Sequence, residues 1–183
     1  AGPMGVSVPT VSEWLSILEI TGQIILVQPF FENFGKRLVK SSKLYLVDSG
    51  LACYLLGIES QASLDRSPFL GSIFEGFVAA EIIKLQLGRG RPKEIYYFRD
   101  QQGLEVDFIV PMGNARLVMI EAKASRTVLP AMAASLARLA NAVSRYRVSS
   151  FVVHRSPRER PASSAVWPGV KALSVDDFLD SLD

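Results

Sequence analysis

Apolar positions recur along this chain at two different periods, and the switch between them marks out its elements. From Gly71 to Leu87, the residues Phe74, Phe77, Val78, Ile82 and Leu85 return every three or four positions, which predicts an amphipathic helix. From Glu105 to Lys123 the period falls to two. Val106, Phe108 and Val110 alternate with Glu105, Asp107 and Ile109; then Val118, Ile120 and Ala122 alternate with Met119, Glu121 and Lys123. Gly113 and Asn114 between the two runs tolerate positive φ, so the stretch predicts a hairpin. With a loop of Gly113, Asn114 and Ala115, Met112 pairs with Arg116. That register sets Asp107 opposite Glu121 and Glu105 opposite Lys123.

The same reading fills in the flanks. Thr10 is the expected N-cap of a first helix, with Glu13 completing a capping box and Val11, Trp14, Leu15 and Leu18 on one face. Strands follow at Ile24 to Val27 and Lys43 to Val47, then a short capped helix from Asp48 to Gly57. The polar stretch from Gln61 to Pro68 is the expected boundary between a segment spanning 8–60 and a domain spanning 66–183. Beyond the long helix come an aromatic strand at Glu94 to Arg99, a turn at Asp100 to Gly103, and the hairpin. A helix at Pro130 to Val143 and strands at Val148 to Val153 and Val170 to Leu173 follow. Ser174 caps a last helix, with Asp176 and Asp177 in its first turn. Helices and strands alternate, so the class is α/β.

Composition narrows the chemistry. At 183 residues, 49% hydrophobic and 21% charged, the chain can bury a core. A net charge of +2 neither requires nor excludes nucleic acid, so local basic clusters decide: Lys36, Arg37 and Lys40; Arg89, Arg91 and Lys93; and Arg126. The lone Cys53 allows no internal disulfide and fits a reducing cytoplasm. No signal peptide and no apolar run of membrane-spanning length is visible. The opening Ala1 to Gly5 reads as an expression-tag remnant, and the natural protein is expected to extend upstream. The one histidine, His154, reads as structural or solvated, which argues against a Ser-His-Asp engine and a histidine-rich zinc site. No Walker-type phosphate loop is present.

Carboxylates, lysine and metal remain. Side chains directly opposed across a hairpin lie about 4.5–5.5 Å apart at Cβ. Asp107 and Glu121 would repel at that range unless one is protonated or a cation lies between them. Mg²⁺ prefers such oxygen ligands, and Lys123, two residues past Glu121, would stand beside the ion and orient water. Glu75, next to the apolar stripe of its helix, can point toward the hairpin, with Glu81 as the competing acid. The plainer reading is a hairpin with one wet, solubilising face. The apolar flanks weigh against it, because buried charges need partners.

The order helix, strand, strand, strand, helix, strand from Gly71 onward resembles the PD-(D/E)XK nuclease-like core. Several stretches also resemble a widespread prokaryotic family in which a domain of unknown function follows a AAA+ ATPase module and a winged helix. These are Lys36 to Lys40, Lys43 to Leu51, Phe74 to Glu81, Tyr97 to Arg99, Gly103 to Phe108 and Ile120 to Lys123. The resemblance implies a restriction-endonuclease-like domain preceded by part of a winged helix. It implies Asp107 and Glu121 as main metal ligands, the Ala122 carbonyl as a further one, Glu75 completing the site and Lys123 positioning water. Glu105, Arg99 and Glu81 receive no role from it. The expected activity is Mg²⁺- or Mn²⁺-dependent hydrolysis of nucleic acid, with Lys36, Arg37, Arg89, Arg91, Lys93 and Arg126 along the backbone. The implied ATPase module, and any ATP site, lie outside this sequence. The rival expectations are a catalytically inactive module that binds nucleic acid or a partner of the ATPase, and a structural or oligomerisation domain.

Overall fold

The structure, a computed structural model, describes residues 5–30, 41–155 and 164–182. Among the described residues, eight strands form one mixed sheet in the order β2-β1-β3-β4-β5-β6-β8-β7. They are β1 (Ile24–Pro29), β2 (Lys43–Leu46), β3 (Tyr96–Arg99), β4 (Glu105–Pro111), β5 (Arg116–Lys123), β6 (Arg147–His154), β7 (Ser164–Trp167) and β8 (Val170–Leu173). The pairs β1–β2, β3–β4, β4–β5 and β7–β8 run antiparallel, and β1–β3, β5–β6 and β6–β8 run parallel. The helices are α1 (Val8–Ile20), α2 (Ser49–Leu55), α3 (Gln61–Asp65), α4 (Leu70–Gly88), α5 (Ala134–Ala142) and α6 (Val175–Asp180). From α4 onward, the expected order of helix, three strands, helix and strand is present, followed by β7, β8 and α6. Strands from both sides of the expected boundary share the sheet, because β1 pairs with β3. The connector itself carries α3, capped by Ser60. None of these helices is long and apolar enough to cross a membrane.

Two apolar layers hold the sheet. On one face Phe74, Val78 and Ile82 of α4 pack with Ile25, Tyr97, Phe108, Val110, Ile120 and Phe178. On the other, Leu136 and Leu139 of α5 pack with Phe98, Val106, Ile109, Leu117, Met119 and Val152. Each such side chain stabilises the fold by about 1.5–3 kcal/mol on full burial. Between Phe74 and Ile83 the long helix is covered nearly all round, since α2 and α6 flank it as well as the sheet. A one-sided stripe therefore understates its contacts.

The first helix departs from expectation. Its N-cap is Ser7, whose hydroxyl accepts from the Thr10 N–H at 3.2 Å, and it buries no residue. Trp14 and Leu18, expected on its apolar face, are exposed. The α5 region opens with a 3₁₀ turn, Pro130–Ala133, before the helix proper. Strand β7 carried no periodic signal of its own and forms by pairing with β8.

The central hairpin has the expected register. Phe108, Ile109, Val110 and Pro111 pair with Ile120, Met119, Val118 and Leu117. The loop closes through Met112 N–H to the Arg116 carbonyl at 3.0 Å. Gly113, Asn114 and Ala115 all take positive φ. The expected division of faces in β4 needs correction. Between the pairs Tyr96–Ile109 and Phe98–Val106, β4 spends one residue more than β3, which is a β-bulge. Val106 and Ile109 therefore share the α5 face, and Phe108 and Val110 share the α4 face. The strict alternation that grouped Ile109 with Asp107 breaks at this bulge.

Candidate functional site

The acidic residues gather where the β4–β5 ladder stops. The last paired residues are Phe108 and Ile120. Beyond them the Ala122 N–H donates to Asp107 Oδ2 at 3.0 Å, so a side chain takes the place of a ladder bond. The start of β4 is fixed by Asp100, which is buried and accepts from the Gln102 and Leu104 N–H groups at 2.9 Å each.

Lys43, the first residue of β2, reaches into this end. Its Nζ lies 2.7 Å from Glu105 Oε1, 2.8 Å from Glu75 Oε1 and 3.4 Å from Asp107 Oδ1. It also stands 5.4 Å from the centre of the Tyr97 ring. Two residues along the same strand, the Tyr45 hydroxyl donates to Glu75 Oε1. Arg99 Nε approaches Glu105 Oε2 at 3.5 Å. On β5, Lys123 Nζ lies 2.6 Å from Glu121 Oε1, while Glu121 Oε2 is buried with no hydrogen-bond partner. His154 sits beside Lys123 in the parallel β5–β6 register, and its Nδ1 is likewise buried and unbonded.

The electrostatics follow from crowding. Burial, then the charges of Glu121 and Glu75, push the Asp107 carboxyl up to about 7, against the pull of Lys43 and Lys123. Burial also raises Glu121, although the Lys123 hydrogen bond and the charges of Lys123 and Lys43 oppose it. Burial alone would lower both lysines. Glu121 outweighs it at Lys123, and Glu75 and Asp107 outweigh it at Lys43, so both ammonium groups are held above their ordinary range. The Tyr45 phenol is raised by burial and by Glu75. Burial lowers the His154 imidazole.

Glu75, Asp107, Glu121 and Lys123 thus lie within mutual electrostatic reach. Glu81 does not join them; it pairs with Lys84 one turn along α4. Lys43 and Tyr45 are the residues that sequence reasoning missed. Their signal was the alternation of Lys43 and Tyr45 with Leu44 and Leu46, which sets the lysine and tyrosine on one face. Of the expected basic residues, Arg126 lies close to the acidic end, 3.6 Å from Asp65 Oδ2, with Arg155 on Asp65 Oδ1 at 2.8 Å. Arg89, Arg91 and Lys93 belong to the far end of α4, about 20 Å of helix beyond Glu75. There Arg89 donates to the Leu182 carbonyl, Lys93 pairs with Glu19, and Arg91 lines a cavity with Val110 and Met112. Lys36 and Arg37 lie outside the described residues.

The donor set suits a hard cation: several carboxylates, one with a buried oxygen lacking a partner. Among the described residues, however, no group of three or more His, Cys, Asp or Glu is arranged to hold a metal ion. Glu75, Glu105 and Asp107 turn to Lys43, and Glu121 turns to Lys123.

Parts of the sequence match known protein families. Residues 1–62 match a family described as Domain of unknown function (DUF8612). Uncharacterized proteins of Mycobacterium bovis and Mycobacterium tuberculosis are each 35% identical over 136 residues, which is 74% of this chain and 29% of the relative. The chain therefore spans less than a third of the length of these relatives. Residues 70–175, more than half of the chain and the whole of the acidic site apart from Lys43 and Tyr45, match Domain of unknown function (DUF4143), and the chain belongs to that family.

Proposed function

We propose that this domain hydrolyses phosphodiester bonds in nucleic acid with the help of a divalent cation, and that its fold is a variant of the PD-(D/E)XK nuclease-like core with part of a winged helix before it. The observation that carries the reading is the meeting of Asp107, Glu121 and Glu75 beside Lys123 at the open end of one hairpin. Burial, then the charges of Glu121 and Glu75, raise Asp107, and one oxygen of Glu121 is buried without a hydrogen-bond partner. Asp107 and Glu121 would hold the ion, with Glu75 completing the set. When bound, the cation would polarise a phosphoryl oxygen and acidify water.

The remaining work falls to the chain itself. The Ala122 N–H fixes Asp107. Glu121 holds the Lys123 ammonium at 2.6 Å, where it can donate to an attacking water. As the water oxygen bonds to phosphorus and the ester P–O bond breaks, Lys123 would offset the growing negative charge. Arg99, on Glu105, and Arg126 and Arg155, on Asp65, can meet neighbouring phosphates without reading bases. In the longer protein, the domain would work with a AAA+ ATPase module.

The Lys43 contacts favour one competing reading, a module that kept the fold and binds nucleic acid without cutting it. An internal ammonium already balances three of its acids. Labelled single- and double-stranded DNA and RNA, incubated with Mg²⁺ or Mn²⁺, separate the two. Hydrolysis expects cleavage that disappears in Asp107→Ala and Lys123→Ala. Salt-dependent binding with no cleavage of any substrate would leave the binding module standing.

A further inference from the structure

We propose that Lys43 is a built-in counter-ion of the acidic site. It holds Glu75, Glu105 and Asp107 while no divalent cation is bound, and it must give up Glu75 and Asp107 when one enters. The inference rests on the cation-dependent reading above and assigns the site a gate.

The geometry sets the two cations in competition for the same carboxylate oxygens. Mg²⁺ binds oxygen at about 2.1 Å. Nζ already lies 2.8 Å from Glu75 Oε1 and 3.4 Å from Asp107 Oδ1. An ion on the same Glu75 oxygen would therefore stand no more than about 5 Å from an unmoved ammonium, where like charges repel strongly. The backbone at this point is fixed: Lys43 pairs with Val27, the Ser42 hydroxyl donates to Gln28 at 2.9 Å, and the Tyr97 hydroxyl donates to the Ser41 carbonyl. The side chain is free to leave without it. It is one-fifth exposed and borders a cavity of about 500 Å³ that Tyr45, Glu75, Glu105, Leu56 and Phe69 also line.

Two of its neighbours gain roles from this arrangement. Glu105 belongs to no expected ligand set, yet it makes the shortest contact to Lys43 and is steadied by Arg99. It is the acid that retains the ammonium once the other two let go. The Tyr45 hydroxyl keeps a hydrogen bond on Glu75 when Lys43 withdraws.

The test uses Mn²⁺ alone, titrated calorimetrically into the wild-type chain, Lys43→Met and Lys43→Arg. Circular dichroism checks that each variant is folded. Lys43→Met should lower the Mn²⁺ dissociation constant by about tenfold or more, and Lys43→Arg, which keeps the charge, should not. A second measurement needs no variant: acetylation of the wild-type chain, read by mass spectrometry. Labelling of Lys43 should rise severalfold on adding Mn²⁺, while that of exposed Lys84 stays constant. Wild-type binding with no gain in Lys43→Met and no change in Lys43 labelling would overturn the gate and leave the cation site standing. Absence of Mn²⁺ binding in both the wild type and a folded Lys43→Met would overturn the site and the gate together. If Lys43→Met does not fold, the labelling result decides.

Discussion

Asparagine at position 107 separates the charge of the acidic cluster from its shape. In the folded chain the Asp107 carboxyl is pushed from 3.8 to about 7, first by burial and then by Glu121 and Glu75. Between those two values the folded state keeps a proton that the unfolded chain has lost. The stability this contributes is complete below the unfolded value and is lost as pH rises through about 7. A separation of about three pH units corresponds to about 4 kcal/mol at most. Glu121 is also raised and acts in the same direction. Lys43 and Lys123 stay charged throughout this window, so their contribution does not change across it. Asparagine keeps an oxygen for the Ala122 N–H and gives up the 3.4 Å contact with Lys43. Urea unfolding with chelator present, at steps from pH 5 to pH 8.5, should show wild-type stability falling by roughly 2–4 kcal/mol. Asp107→Asn should fall by clearly less, so that the variant gains on the wild type as pH rises. A difference that stays flat, or that turns against the variant at high pH, would refute the argument.

Protons and divalent cations compete for the same carboxylates, so the rise in melting temperature caused by Mn²⁺ should be larger at pH 8 than at pH 6. Ala115 holds positive φ without being glycine, and Ala115→Gly should raise stability by up to about 1 kcal/mol, seen as a higher urea midpoint. Ile120→Ala removes a fully buried side chain from the layer beneath the site and should cost about 2–5 kcal/mol in the same assay. Paired Arg126→Ala and Arg155→Ala substitutions should weaken nucleic-acid binding and flatten its dependence on salt. Arg91→Ala with Lys93→Ala should leave both unchanged, because those residues occupy the other end of the sheet.

What could be read from the sequence divides along a physical line. The hairpin register was legible because a three-residue loop with positive-φ residues and a period of two leave little freedom. The long helix was legible in extent, but the all-round cover of its middle was not, since α2 and α6 reach it through tertiary packing that no local period encodes. The weak strand β7 is held by its pairing with β8 and by packing on the Pro130–Ala133 turn, which its own residues do not encode. Asp107, Glu121 and Lys123 could be named because hairpin geometry aims them locally, whereas the choice of Glu75 over Glu81 came from the family resemblance and not from helix periodicity. Lys43 could not be named, because its contacts span 32 residues to Glu75 and 64 to Asp107. They exist only because β1 carries β2 into the same sheet.

The β4 bulge ties these failures to the chemistry. Perfect alternation would have sent Asp107 and Phe108 to opposite faces, and with it Asp107 would have had the neighbours of Ile109. One additional residue lets Phe108 fill the α4 layer while Asp107, beside it, remains on the side where Lys43 and Glu75 stand. The same irregularity lies next to the point where the β4–β5 ladder gives out, which leaves the Ala122 N–H for Asp107 to accept. A bulge weakens a sheet locally and is retained where it re-aims a side chain. Here it re-aims the carboxylate that meets Lys43 on one side and the Ala122 N–H, next to Glu121, on the other. Removing the extra residue should therefore scatter the acids while leaving both apolar layers able to pack.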